Sequence, residues 1–130
     1  MLLKFPVKYR ALAALIFSQF LLYPLAFASD CSDAISLGNE VYRYARKAYL
    51  ESSFEDAQEY ARKARNLAAD AKSEANNCGC DDAESCFDDA YTFARKAYNA
   101  SDLDELNTYA KKAMRAAEDG IAAAEACSRR

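Results

Sequence analysis

Histidine is absent from this 130-residue chain, and so is tryptophan. Without an imidazole the chain lacks both the commonest general base at neutral pH and the commonest metal ligand. The same absence excludes the di-iron carboxylate bundles, whose sites combine glutamates with Glu-x-x-His. No window alternates apolar and polar residues with period two, so no strand is expected. Acidic clusters such as Asp81, Asp82, Glu84, Asp88 and Asp89 lack the turn glycine of a calcium loop. They read instead as solvated surface and as complements to a helix N-terminus.

Residues 1–28 have the pattern of an export signal. Lys4, Lys8 and Arg10 precede an apolar run from Ala11 to Leu22 that is interrupted by Ser18 and Gln19. The small-residue exit Ala26-Phe27-Ala28 follows Pro24. The run is short beside the roughly 20 residues needed to cross a bilayer, and Asp30 before the first cysteine argues against lipid attachment. Cleavage after Ala28 leaves one domain, residues 29–130, with no membrane span. Its 14 basic and 20 acidic residues give a net charge of −6, which argues against nonspecific nucleic-acid binding. All five cysteines lie in this domain. Export to a periplasm or to the extracellular space makes disulfides their expected state.

The stretch Asn76-Asn77-Cys78-Gly79-Cys80-Asp81-Asp82 is explained by an internal correspondence. A shift of 49 residues lays Tyr42–Tyr49 (YRYARKAY) on Tyr91–Tyr98 (YTFARKAY), and 19 of the 49 positions in 30–78 are identical in 79–127. Cys31 falls on Cys80 and Cys78 on Cys127, so Cys78-Gly79-Cys80 is the seam between two repeats. The period separates the chain from 34-residue tetratricopeptide arrays, whose tryptophan is also missing.

Within each repeat, small and apolar residues recur every three or four positions, as at Ala57, Tyr60, Ala61, Ala64, Leu67, Ala68 and Ala71. A break at Leu50–Asp56 places Ser53 as a helix cap, with acids in the following turn, and Asp102 is its counterpart. The expectation is an all-α, up-down-up-down four-helix bundle of two duplicated helical hairpins, with helices near 32–50, 54–77, 82–99 and 103–127. In such hairpins Cys31 meets Cys78 and Cys80 meets Cys127 at the open end. These two disulfides would staple a modest alanine-rich core in which tyrosines and phenylalanines fill the gaps. Cys86, opposite Leu37 in the repeat, is expected as a buried free thiol.

Two functional readings follow. In the first, the protein is exported, non-catalytic, without a cofactor, and acts by binding or as a structural component. Its candidate surface is a belt of Arg46, Lys47, Tyr49, Arg62, Lys63, Arg95, Lys96, Tyr98, Lys111 and Lys112, suited to an anionic glycan or a partner protein. A plainer account has these cations balancing nearby acids on solvated helix faces. In the second reading, Cys31, Cys78, Cys80 and Cys127 act as thiols in metal binding or redox chemistry. Cys-x-Cys spacing and an oxidising compartment weigh against that.

Overall fold

The computed structural model describes residues 30–130, and the stretch expected to be an export signal, 1–28, lies outside the described residues. Four helices follow one another: α1 (Ser32–Leu50), α2 (Phe54–Asn77), α3 (Asp81–Tyr98) and α4 (Leu103–Ser128). Each packs along its two neighbours and hardly touches the helix diagonally opposite. The three connections are short, so consecutive helices run antiparallel, as in an up-down-up-down bundle.

Local chemistry fixes each turn. Ser53 Oγ accepts from the Asp56 N–H, and Asp102 Oδ1 accepts from the Glu105 N–H at 2.8 Å, each satisfying one orphan donor of a helix start. Glu105 in turn accepts from the backbone N–H of Ser101, which ties the cap from both sides. At the seam the Cys80 N–H reaches the Ala75 carbonyl and the Gly79 N–H reaches that of Asn76. Gly79 carries the left-handed φ of 74°. This is a Schellman closure of α2, which needs glycine because a side chain is strained at such a φ. Cys80 then opens α3 directly, so one glycine reverses the chain.

Alanine dominates the interior. At mid-bundle the buried layer is Ala45, Ala64, Ala94 and Ala113, one from each helix. With Ala48, Ala61, Ala97 and Ala110 these surround a gap that leaves no room for a water molecule. Side chains this small let helix axes approach closely. The large side chains that are fully buried are Phe87, Leu106 and Val41. Tyrosines stand at the edges rather than in the middle: Tyr42, Tyr49, Tyr60, Tyr91, Tyr98 and Tyr109 are half-buried against the core. The expectation that tyrosines fill space between the alanines is therefore corrected, because a layer closed by alanine has no room for a ring.

Phe87 is the exception that finds a place. Its ring lies between Gly38 of α1 and Gly120 of α4, where an added Cβ would come within 2.7 Å and 2.5 Å of ring carbons. Two glycines thus remove the methyls that would occupy the ring's volume.

The cysteines join as the hairpins require. Cys31 bonds Cys78 and Cys80 bonds Cys127, with Cα separations of 5.3 and 6.0 Å. Ser128 Oγ accepts from the Cys31 N–H at 3.0 Å, so the end of α4 also holds the start of α1. Cys86 is free but half-buried, not buried as expected of a small hydrophobe. It lines a groove between α3 and α4 beside Phe93, Lys112, Arg115, Asp89 and Asp119. Partial burial, then the charges of Asp119, Asp89 and Asp82, push its thiol pKa up, which disfavours the thiolate, the reactive form.

Candidate functional site

The antiparallel fold turns a scattered distribution of charge into bands. Segments 42–49, 57–66, 91–98 and 106–115 lie side by side across the bundle and carry eleven basic residues against one acid, Glu59. The disulfide end, 30–41, 67–90 and 116–130, carries thirteen acids and three bases. At the other end the turn regions 50–56 and 99–105 carry six acids and no base. A positive girdle is therefore flanked by two negative ends. Thirteen residues separate Cys31 from Tyr44, so the girdle begins roughly 20 Å from the disulfides at 1.5 Å per residue.

Four copies of one short pattern build the girdle, one on each helix: Tyr44-Ala-Arg-Lys47, Tyr60-Ala-Arg-Lys63, Phe93-Ala-Arg-Lys96 and Tyr109-Ala-Lys-Lys112. Its alanine is buried, its ring half-buried and its final lysine exposed in every copy. The three-residue step from ring to lysine puts both on one helix face. Across α1 and α2 the rings of Tyr44 and Tyr60 stack at 6.3 Å, with Lys47 Nζ 5.3 Å and Lys63 Nζ 5.5 Å from the Tyr44 centroid. Across α3 and α4 Phe93 and Tyr109 stack at 6.5 Å. Lys96 and Lys112 lie 5.6 and 5.5 Å from the Tyr109 centroid. These separations suit attraction between an ammonium group and the negative face of a ring.

Other cations of the girdle meet rings in the other two grooves. Between α2 and α3, Arg65 lies 4.9 Å from the Tyr98 centroid. Between α4 and α1, Lys111 lies 5.8 Å from that of Tyr49. Arg46 and Arg95 are exposed and make no ion pair among the described residues. The three ion pairs there are Arg43–Glu40, Arg62–Glu59 and Lys72–Asp88, and of the expected belt residues they engage only Arg62. Its bond to Glu59 raises the guanidinium pKa and holds the carboxyl below its ordinary range. The plain account of belt cations balanced by acids is thus corrected: most of them meet rings, because the band offers almost no carboxylate.

Tyr44, Tyr60, Phe93, Tyr109, Arg43, Arg65 and Arg115 were missing from the sequence-derived belt. The fourfold ring-Ala-basic-Lys pattern was the signal that marks the first four. Arg115 joins Tyr49, Asn107, Thr108, Lys111 and Lys112 in lining a groove between α4 and α1. Its volume of about 340 Å³ is at the lower end of ligand clefts, about 300–1,000 Å³.

At the disulfide end, Cys31, Cys78, Cys80 and Cys127 are paired and offer no thiolate in this state. No cluster of three or more potential metal-ligating side chains occurs among the described residues. Among the same residues no helix is long and apolar enough to cross a membrane. Comparison with protein-family models, curated proteins and solved structures gives no match for this chain, so any function is argued from the site itself.

Proposed function

We propose that the protein is an exported, non-catalytic bundle that binds an anionic partner through its central girdle. The carrying observation is the band of eleven basic residues with one acid, seven of them over rings, set between acidic ends. Cations that lack carboxylate partners keep their charge available to a ligand, while rings beside them supply apolar contact. The acidic ends repel an anion from the rest of the protein, which directs it to the girdle. The two disulfides support an oxidising, exported setting.

Retention of the oxidised protein on an anionic polysaccharide matrix, against a neutral one, tests this reading. Retention should fall with added salt as surface charges are screened. Charge reversal of Arg46, Lys47, Arg95 and Lys96 to Glu should weaken it strongly without loss of helicity. Equal retention of the reversed and native proteins would sink the assignment.

A further inference from the structure

The girdle has corresponding grooves on opposite sides of the bundle, and they differ. Beside Tyr98, between α2 and α3, Gln58 Nε2 donates to the Tyr98 carbonyl at 3.2 Å, and Glu59 pairs with Arg62. That groove is bridged and part of its charge is neutralised. Forty-nine residues on, beside Tyr49, Asn107 stands in place of Gln58, Thr108 in place of Glu59, and Arg115 in place of Asn66. Asn107 is one methylene shorter, and its buried Oδ1 has no hydrogen-bond partner. Lys111, Lys112 and Arg115 line this groove with no carboxylate among its lining residues.

We infer that the groove between α4 and α1 is the seat of the ligand and takes an acidic sugar unit of a polysaccharide. This rests on the girdle reading above. Three features converge on that chemistry. Lys111, Lys112 and Arg115 ask for a carboxylate or sulfate. Tyr49 lines the groove and supplies aromatic surface for the apolar side of a sugar. Asn107 carries an acceptor whose desolvation penalty is already incurred while it stays unpaired, so turning its amide towards a ligand hydroxyl gives up no existing bond. An acidic sugar brings the anion, the apolar face and the hydroxyl donor within one ring. An acidic peptide brings the anion alone in comparable compactness.

The test titrates the oxidised protein by calorimetry at low salt with oligogalacturonate, dextran sulfate, neutral dextran and poly-glutamate. Two double variants change net charge equally, Lys111→Glu with Arg115→Glu in the groove and Lys47→Glu with Lys63→Glu on the Tyr44–Tyr60 pair. All four positions are exposed at their side chains' ends, and circular dichroism confirms the fold. The expected result is binding of oligogalacturonate or dextran sulfate that falls tenfold or more in the groove variant and in Tyr49→Leu, and falls in the Lys47/Lys63 variant too, as charges of the same girdle, but by a factor at least three times smaller. Equal losses in the two double variants would overturn the groove while the girdle reading stands. Tighter binding of poly-glutamate than of either acidic saccharide, unaffected by Tyr49→Leu, would overturn the sugar assignment alone. Absence of binding to all three anionic polymers would remove both readings.

Discussion

Replacing Gly120 with alanine should cost stability in the native background and add it once Phe87 is removed. The new Cβ would sit 2.5, 2.7 and 2.8 Å from Cε1, Cδ1 and Cζ of Phe87, closer than non-bonded carbons come. Overpacking of this kind costs about 1–3 kcal/mol, whereas exchanging glycine for alanine within a helix returns about 1 kcal/mol. The net expectation for Gly120→Ala is a loss of up to about 2 kcal/mol. Phe87→Ala alone should lose about 3–5 kcal/mol, since it empties a fully buried ring site. In that background the steric cost disappears, and Gly120→Ala should stabilise by about 1 kcal/mol. Urea titration of the four oxidised proteins by far-UV circular dichroism gives the coupling energy, expected at about 1–3 kcal/mol. Sites that do not share a contact add within about 0.5 kcal/mol. Additivity of that quality, with Gly120→Ala destabilising by the same amount in both backgrounds, would refute the account of Phe87 seated between two glycines.

The remaining expectations concern the cysteines. Each disulfide has a sequence separation of 47, for which loss of denatured-chain entropy is worth about 4 kcal/mol. Paired Cys31→Ser and Cys78→Ser should therefore lower the unfolding free energy by up to about that amount in urea titration. A change under about 1 kcal/mol would mean that the alanine core holds the hairpin unaided. For Cys86, burial first and then Asp119, Asp89 and Asp82 raise the folded pKa above the unfolded one, in a groove that Lys112 and Arg115 also line. The folded state holds the thiol proton longer, so this contribution is complete below the unfolded thiol pKa and is lost as pH rises through the folded value. Cys86→Ser should lessen the decline of stability with alkaline pH. Alkylation of the native protein at mildly alkaline pH should be slower than that of the urea-unfolded oxidised protein, and equal rates would contradict the shift.

Helix ends and disulfide partners were legible because their causes are local or follow from antiparallel packing. Ser53 and Asp102 announce their caps within three residues, and antiparallel packing brings the two cysteines of each hairpin together at its open end. Phe87 was not legible as a core residue of special standing. Its complements, Gly38 and Gly120, lie on two other helices, and at the corresponding position of the first repeat the residue is glycine. Cys86 was read as buried because a free cysteine behaves as a small hydrophobe, but its position, like that of Leu37 in the other repeat, is only partly covered. The girdle was half legible. Lysines and arginines stood out, but the partnership of each lysine with a ring depends on two helices meeting at the same height, which periodicity along one helix does not reveal.

The chemistry of the girdle follows from the smallness of the core beneath it. Eight alanines, two from each helix, close the interior at this height so tightly that water is excluded. No ring can enter, and Tyr44, Tyr60, Phe93 and Tyr109 are left half-buried in the outer grooves. Rings displaced outward leave faces that lysine stems and ammonium groups can cover. With almost no acid in the band, the lysine charges are held in place without being neutralised. At the disulfide end, by contrast, Gly38 and Gly120 admit Phe87 to the interior, and the surface there is acidic. The same choice of small or large residue inside the bundle therefore decides where aromatic faces reach the outside. If the girdle is the binding surface, its alanines are part of the binding design even though none of them need touch the ligand.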